Sequence, residues 1–415
     1  MPIYIHDTKN SDVYINGSAS KCWLHYSLLS LDSSLENKLS FYVGDPIQII
    51  SMLIDEYHVG QVYWNRCYEP WQIARDKQLK QRLQESQIEV NSSNGSLLWE
   101  PWEITKLDGS PYRVFTPFYR RGCLQAPPPR EPLPQPTSMS LVKGKDSIQL
   151  ANSGLLPTQA WAQRVIMQWE VGQQAAQAKL DAFLLNGIQN YKVGRDFPAK
   201  ASVSRLSPHL HWGEISPNQV WYAARQMGDD DNISHFCSEL GWREFSYSQL
   251  YYFPGLPDKN MKPAFDRFPW IEDEDWLKAW QRGQTGIPFV DAGMRELWQT
   301  GWMHNRVRMV VGSFLVKNLR HHWRHGADWF WQCLLDADCA SNSAGWQWIA
   351  GCGADAAPYF RIFNPITQGK KFDEDGSYTK KYLPKTNLFM LVGLCLRPNA
   401  HPGCSTPSPA SAGIS

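Results

Sequence analysis

Three short segments carry residue types that could act together on a ligand. In GWMHNRVRMVVGSFLVKNL (Gly301–Leu319), helical spacing gathers Val307, Val310, Val311, Phe314 and Leu315 into one apolar stripe. Asn305, Arg308 and Met309 stand at i, i+3 and i+4, so they share a different face. Two arginines and an amide beside a methionine on a tryptophan-rich helix are unusual for plain surface, although a solvated face laced with salt bridges has the same pattern. In LLDADCASNSAGWQW (Leu334–Trp348), Asp336 and Asp338 are two residues apart. On one helix they point to different sides. At the end of a preceding helix both can face a single ligand, or serve as ordinary helix caps. The third segment, SVSRLSPHLHWGEISP (Ser202–Pro217), offers Ser202, Ser204, Ser207 and Arg205 at the start of a helix. Hydroxyls, a guanidinium and helix-start amides can hold a phosphate, and capped helix starts look much the same.

These segments need positioning elements, and the chain supplies two kinds. Up to about residue 126, apolar runs alternate with helical patterns: PIYIHD (Pro2–Asp7), a helix near Ser20–Ser30, LSFYVGD (Leu39–Asp45), a helix through Ile47–Tyr57, QVYWNR (Gln61–Arg66), a helix Ala74–Leu83, and IEVNSS (Ile88–Ser93). Strands alternating with helices predict an α/β domain with a parallel, doubly wound-like sheet over 1–126. APPPREPLPQP (Ala126–Pro136), six prolines in eleven residues, predicts a stiff linker, set at 127–160. The pattern from 161 to 384 is helical: Trp169–Ile188, Ser216–Ala224, Ile233–Leu250, Trp276–Trp280, Phe289–Thr300, Met303–Arg324 and Ala327–Leu335. An all-α domain is expected there. Residues 385–415, rich in Pro, Ser, Ala and Gly after an apolar patch, read as a disordered tail.

Composition agrees with a globular protein of 415 residues, enough for two domains. No apolar run approaches a membrane span, and no secretory signal opens the chain. A net charge of +1 neither favours nor excludes nucleic acid, since a basic groove can hide in a neutral total. Nine scattered cysteines suit reduced thiols in an intracellular, DNA-containing compartment. Ten of the 20 tryptophans fall between Trp270 and Trp348, as in an aromatic core, a stacking surface or an electron path.

Taken in order, the stretches YKVGRDFP, SRLSPHLHWG, CSELGWREF, GWMHNRVRM, LLDADCASNSAGWQW and GADAAPYFRIFNP resemble the flavin-binding helical domain of the photolyase/cryptochrome family. VYWNRCYEP, NGSLLWEPW and VFTPF resemble its antenna domain. The likeness runs from about Ile3 to Pro384 and is dense from Tyr191 onward. It implies light-dependent repair of cyclobutane pyrimidine dimers in DNA by an electron from reduced FAD. By position, Tyr191, Val203, Ser204, Arg205, Leu206 and Ser207 are expected at the cofactor's diphosphate, and Phe236 beside it. Asp336, Ala337 and Asp338 are expected against the isoalloxazine and ribityl–adenine parts, Arg308 paired with Asp336, and Asn342 at flavin N5. Trp242 and Trp348 are expected to wall the lesion pocket, with Glu239 and Asn305 on the base edges and Met309 against the rings. Arg195, Arg243 and Arg306 are expected on DNA phosphates. Trp346, Trp323 and Trp270 match the family's chain of tryptophans that carries electrons inward. The implied partner is UV-damaged DNA, met by a monomer.

Alternatives remain at this level. A cryptochrome shares the fold and FAD, but plant receptors tend to carry Asp, and animal ones Cys, where Asn342 stands. Enzymes for (6–4) photoproducts resemble the family with a His pair in the pocket, whereas His304 is followed by Asn305. His321 and His325, near Cys333 and Cys339, have ligand spacing, but His322 points elsewhere on the helix, and no metal is expected. The antenna chromophore is open between a deazaflavin, methenyltetrahydrofolate and none, because folate-binding members carry Glu where Gln72 stands. The family's opening WFRxDLR-like strand is not seen before Pro2–Asp7. The tail after Pro384 is atypical. The first departure suggests a first domain incomplete at its N-terminus, and the two together motivate a third reading, an inactive family member.

Overall fold

The computed structural model of the chain describes residues 1–9, 17–356 and 361–384. The tail expected to be disordered, 385–415, lies outside the described residues.

The β-branched and aromatic runs of the first part form β1 (Ile3–Asp7), β2 (Ser40–Gly44), β3 (Gln61–Asn65) and β4 (Glu89–Ser93). Between them lie α1 (Ser18–Ser34), α2 (Pro46–Tyr57) and α3 (Pro70–Glu85). Pro46 and Pro70 open their helices, where a missing N–H costs nothing. Pairing is parallel throughout. β1 pairs with β2 from Ile3↔Ser40, and β3 with β4 from Gln61↔Glu89. The four strands make two two-stranded sheets, so the parallel α/β alternation is present while the described strands are divided into pairs. β2 also receives an antiparallel bridge from Ile148, whose N–H donates to the Phe41 carbonyl at 3.0 Å.

The proline-rich run forms neither helix nor strand. Proline carbonyls still accept hydrogen bonds, and they pin the run to its neighbours. Trp99 donates to Pro127 O at 2.9 Å and Tyr222 to Pro129 O at 2.5 Å, and Asn218 donates to Arg130 O at 2.7 Å.

The elements described after it are helical. The main ones are α4 (Ala160–Ile166), α5 (Gln173–Asn186), α6 (Pro217–Gln226), α7 (Asp231–Tyr252), α8 (Glu274–Gln281), α9 (Pro288–Thr300), α10 (Asn305–Ser313), α11 (Trp323–Cys333), α12 (Cys339–Ala350), α13 (Pro365–Phe372) and α14 (Ser377–Tyr382). The apolar stripe is buried largely as its spacing predicts: Val307, Val310 and Val311 on α10 and Leu315 just beyond it are inaccessible and pack with Trp280 and Leu297, and Phe314 is half-buried. Two long segments are shorter than their patterns suggest. The helix expected over Trp169–Ile188 starts only after Gly172, whose φ of 108° suits glycine. The helix expected over Met303–Arg324 widens into a π-turn at Phe314–Asn318 and stops near Arg320, at φ 58°. Hydrophobic period alone does not register either break.

Candidate active site

A cavity of about 570 Å³ opens between α7, α10, α12 and the turn that carries Val203–Ser207. Its size is that of an ordinary ligand site. The i, i+3, i+4 face of α10 works as its spacing predicts, because Asn305, Arg308 and Met309 all line the cavity. α7 contributes Glu239, Trp242 and Arg243, one helical turn and its neighbour. Tyr191, Arg195, Asn342, Trp346 and Trp348 complete the expected set found on its wall, together with the whole run from Val203 to Ser207.

The two aspartates sit in the short connection between α11 and α12, and both face this space. Arg308 donates to Asp336 at 3.0 and 3.3 Å and, through Nε, to Met303 O at 2.8 Å. A buried carboxylate is thereby paired rather than stranded. Asp338 caps α12 by accepting from Ser341 N at 2.7 Å, and takes the Tyr247 hydroxyl at 2.5 Å. Burial alone pushes the Asp338 carboxyl up. His211, 3.4 Å away, Arg243 and the Tyr247 hydroxyl outweigh it and hold the group well below the usual carboxylate range. Asn342 donates its amide to Ala327 O at 3.1 Å.

Arg205 adopts the left-handed φ of 53°, and its guanidinium lies between Trp169 and Trp302, 4.6 and 4.5 Å from the ring centres. Its Nε is buried without a partner among the described residues, as is Gln249 Oε1 on the same cavity wall.

At the mouth, Arg195 forms a two-pronged ion pair with Glu239 and reaches His235 at 2.9 Å. Arg306 holds Asp196 at 2.5 Å and stacks over Phe372 at 4.5 Å, beside rather than in the cavity. Trp242 is stacked on Phe115 at 3.8 Å and 9°, and Trp348 lies near-parallel to Phe363 at 6.4 Å. These contacts fix the angle of each indole before anything binds.

Arg243 faces inward. It donates to Ser96 O at 2.6 Å and pairs with Glu244, so its place is the inner wall beside Asp338, not the outer rim. Phe236 is buried against Phe183 and Tyr191 behind the wall, and Ala337 is buried between the aspartates. Trp346 touches the cavity, whereas Trp323 and Trp270 step away from it toward the surface. Gly326 of α11 leaves room for the Trp346 ring, since a Cβ there would lie 2.1 Å from it. His211, Tyr247, Gln249 and Trp302 are among the site residues that sequence reasoning passed over. His211 stands inside SRLSPHLHWG, and Tyr247 one turn beyond Arg243, so spacing held a signal for both. The His321 and His325 rings are 6.1 Å apart, and among the described residues no three His, Cys, Asp or Glu gather as metal ligands. A larger cleft of about 1050 Å³ lies apart from these groups, between Arg66, Trp99, Trp102 and the proline-rich run.

The family description "FAD binding domain of DNA photolyase" matches residues 236–391, and "DNA photolyase" matches residues 1–137. A deoxyribodipyrimidine photo-lyase from Agrobacterium fabrum is 47% identical over 393 residues, covering 93% of this chain and 81% of the relative. Cryptochrome-1 from Arabidopsis thaliana is 35% identical, covering 90% of this chain and 57% of that relative. Among solved structures, a bacterial class III photolyase from Agrobacterium tumefaciens superposes with a TM-score of 0.87 at 47% identity, covering 92% of this chain and 80% of that one. An archaeal photolyase from Sulfolobus tokodaii, solved with two FAD molecules, gives 0.80 at 28% identity, over 98% and 89%.

Proposed function

The chain belongs to the DNA photolyase family, and from that premise we propose that its helical cavity holds FAD on the inner wall and a flipped-out pyrimidine dimer at the mouth. Its activity is light-dependent DNA repair, with FAD as cofactor. The single observation that carries the site assignment is that one cavity joins two kinds of wall. Inside lie paired carboxylates, Asn342 and the Val203–Ser207 turn, and outside lie two indoles, a thioether and an ion-paired glutamate.

The residues present fit a flavin dinucleotide. Arg205 Nε and Gln249 Oε1 are buried donor and acceptor atoms awaiting partners, and the serine-bearing turn supplies hydroxyls for a diphosphate. When bound and reduced, FAD supplies the light-driven electron that splits the dimer and then returns. The protein's own part is to orient and to hold charge in place. Asp336, Arg308 and Asp338 fix the electrostatics of the inner wall, and Asn342 would offer an uncharged amide to the flavin's N5. Trp242 and Trp348 stack on the two pyrimidines, Met309 packs beside them, and Glu239 and Asn305 bond their edges. A dimer cannot be reached inside a duplex, so these enzymes flip it out, and the pocket is shaped for that extruded pair. Arg195 and Arg306 steady the flanking phosphates, which position the strand without choosing the damage. Trp346, Trp323 and Trp270 form a route that refills the cofactor with electrons from the surface.

Glu239→Ala tests the division of labour. The variant is expected to retain FAD, read as the flavin absorbance of purified protein. It is also expected to bind dimer-containing single strands roughly tenfold more weakly, on the order of 1–2 kcal/mol for one lost bond to a buried polar partner. Loss of flavin together with DNA binding would contradict the assignment.

A further inference from the structure

The outer part of the tryptophan route contains a ring that is not an indole. Trp323 is almost fully buried and donates its Nε1–H to Asn260 Oδ1 at 2.8 Å, whereas Trp270 is only partly buried against the edge of the same core. The imidazole of His322 touches both. Its centre lies 5.4 Å from that of Trp323 at 32°, and 5.1 Å from that of Trp270 at 75°.

We propose that His322 is a positioning residue of the electron route: its ring fills the space between Trp323 and Trp270 and holds the two indoles in one packed relation across which an electron passes. The proposal rests on reading Trp346, Trp323 and Trp270 as that route.

The backbone is arranged to place this ring. Ile271 N donates to Arg320 O at 2.8 Å, which ties the segment bearing Trp270 to the turn before His322. Arg320 takes the left-handed φ of 58°, reversing the chain so that His322 becomes the cap of α11. Its Nδ1 accepts from Arg324 N at 3.2 Å, which assigns the ring proton to Nε2. Burial, reinforced by Arg324 and His325 and opposed by Asp266, pushes the imidazole down to about 4. The ring is therefore neutral at pH 7, and no added positive charge stands between two indoles that must pass a positive hole outward.

The electron balance closes without the imidazole changing state. With oxidised FAD bound and excited, Trp346 would give up one electron, Trp323 would refill Trp346, Trp270 would refill Trp323, and a thiol in solution would refill Trp270. One electron moves inward at each step. Each thiol leaves as a thiyl radical and a proton, and two thiyl radicals pair as a disulfide in solution. No heavy-atom bond of the protein forms or breaks, and His322 is neither oxidised nor protonated. What it contributes is contact: removing the ring leaves a gap whose lining atoms lose their partners and whose indoles are free to shift.

Two variants separate contact from capping. His322→Asn keeps a side-chain acceptor for Arg324 N and removes the ring. His322→Phe keeps a ring and removes the acceptor. The yield of long-lived tryptophan radical after a flash, with FAD oxidised and thiol present, is read by transient absorption beside a Trp323→Phe control. Thermal midpoints are read on the flavin-free proteins. His322→Asn is expected to lower the radical yield severalfold. His322→Phe is expected to keep it near wild type while melting about 2–4 °C lower, the cost of a lost cap. Wild-type yield in His322→Asn, with Trp323→Phe still blocked, overturns the role of His322 alone. A yield that follows the cap rather than the ring overturns it as well. Wild-type yield in Trp323→Phe overturns the route itself, and the role of His322 with it.

Discussion

Exposed strand positions in the α/β half and the core around α10 in the helical half treat their hydrophobic residues very differently. In the helical half Trp280, Leu297, Val307, Val310, Val311 and Leu315 are wholly inaccessible. In the α/β half Tyr63 on β3 is 64% exposed and Val43 on β2 42% exposed. Parallel strands are ordinarily covered on both faces, so these sheets take less support from their own layers than is usual. The helix α1 beside them docks on the helical half. Trp23 of α1 is inaccessible and donates to Glu214 at 3.0 Å, and Ser20 Oγ donates to Leu334 O at 2.8 Å. Leu334 is two residues from Asp336, so α1 buttresses the turn that carries the cavity's carboxylates. The start of α1 is equally close to α11, since a Cβ on Gly17 would lie 2.0 Å from Trp331 O. The difference teaches that the α/β half is a brace for the site as well as a domain beside it.

Breaking the brace should do the most damage. Trp23→Ala removes a fully buried indole and leaves Glu214 with one donor fewer, at a cost of about 3–5 kcal/mol. Denaturant unfolding of the flavin-free protein reads the loss, and FAD affinity should fall with it through the Leu334–Asp338 turn. An unchanged FAD affinity would confine the brace to stability.

A subtler tie is Glu244. It accepts from Leu98 N at 2.8 Å and Trp99 N at 3.3 Å, joining α7 to the segment before the proline-rich run. Burial raises its carboxyl from 4.5 to about 7, despite Arg243 and the two amides. The folded state thus binds an extra proton between those values. That stabilisation is complete below pH 4.5 and is lost as pH rises through 7, a swing of no more than ~3 kcal/mol. In Glu244→Gln the melting midpoint should change less between pH 5 and 8 than in wild type. An equal slope in both proteins would remove Glu244 as its source.

The smallest effect should come from the exposed strand itself. Tyr63→Ser on β3 should alter stability by less than ~0.5 kcal/mol, because the side chain faces solvent. A larger loss, read in the same denaturant titration, would show that the sheet bears load of its own.

Much of this was legible in the sequence because the signals were local. The i, i+3, i+4 set of Asn305, Arg308 and Met309 found its common face, and the proline-rich run its lack of regular structure. Asp336 and Asp338 fell at a helix junction, where both can meet one ligand. The division of the strands into two pairs was not legible, since periodicity says which face a residue takes and not which strand lies beside it. Arg243 looks like a surface cation in sequence. The neighbours that turn it inward, Ser96 and Glu244, include one that is 147 residues away. The break after Phe314 was hidden because the apolar period runs straight through it. Trp302 and Trp169 reach Arg205 from opposite directions in the chain, and pairings of that kind belong to tertiary packing alone.

The most direct measurement is a light–dark comparison on one preparation. Protein carrying reduced FAD is mixed with single-stranded DNA containing cyclobutane dimers, one half is illuminated with blue light, and intact dimers are counted in both. Dimers should disappear in the light and persist in the dark. Equal dimer counts in both halves, with the flavin demonstrably bound and reduced, would contradict the account.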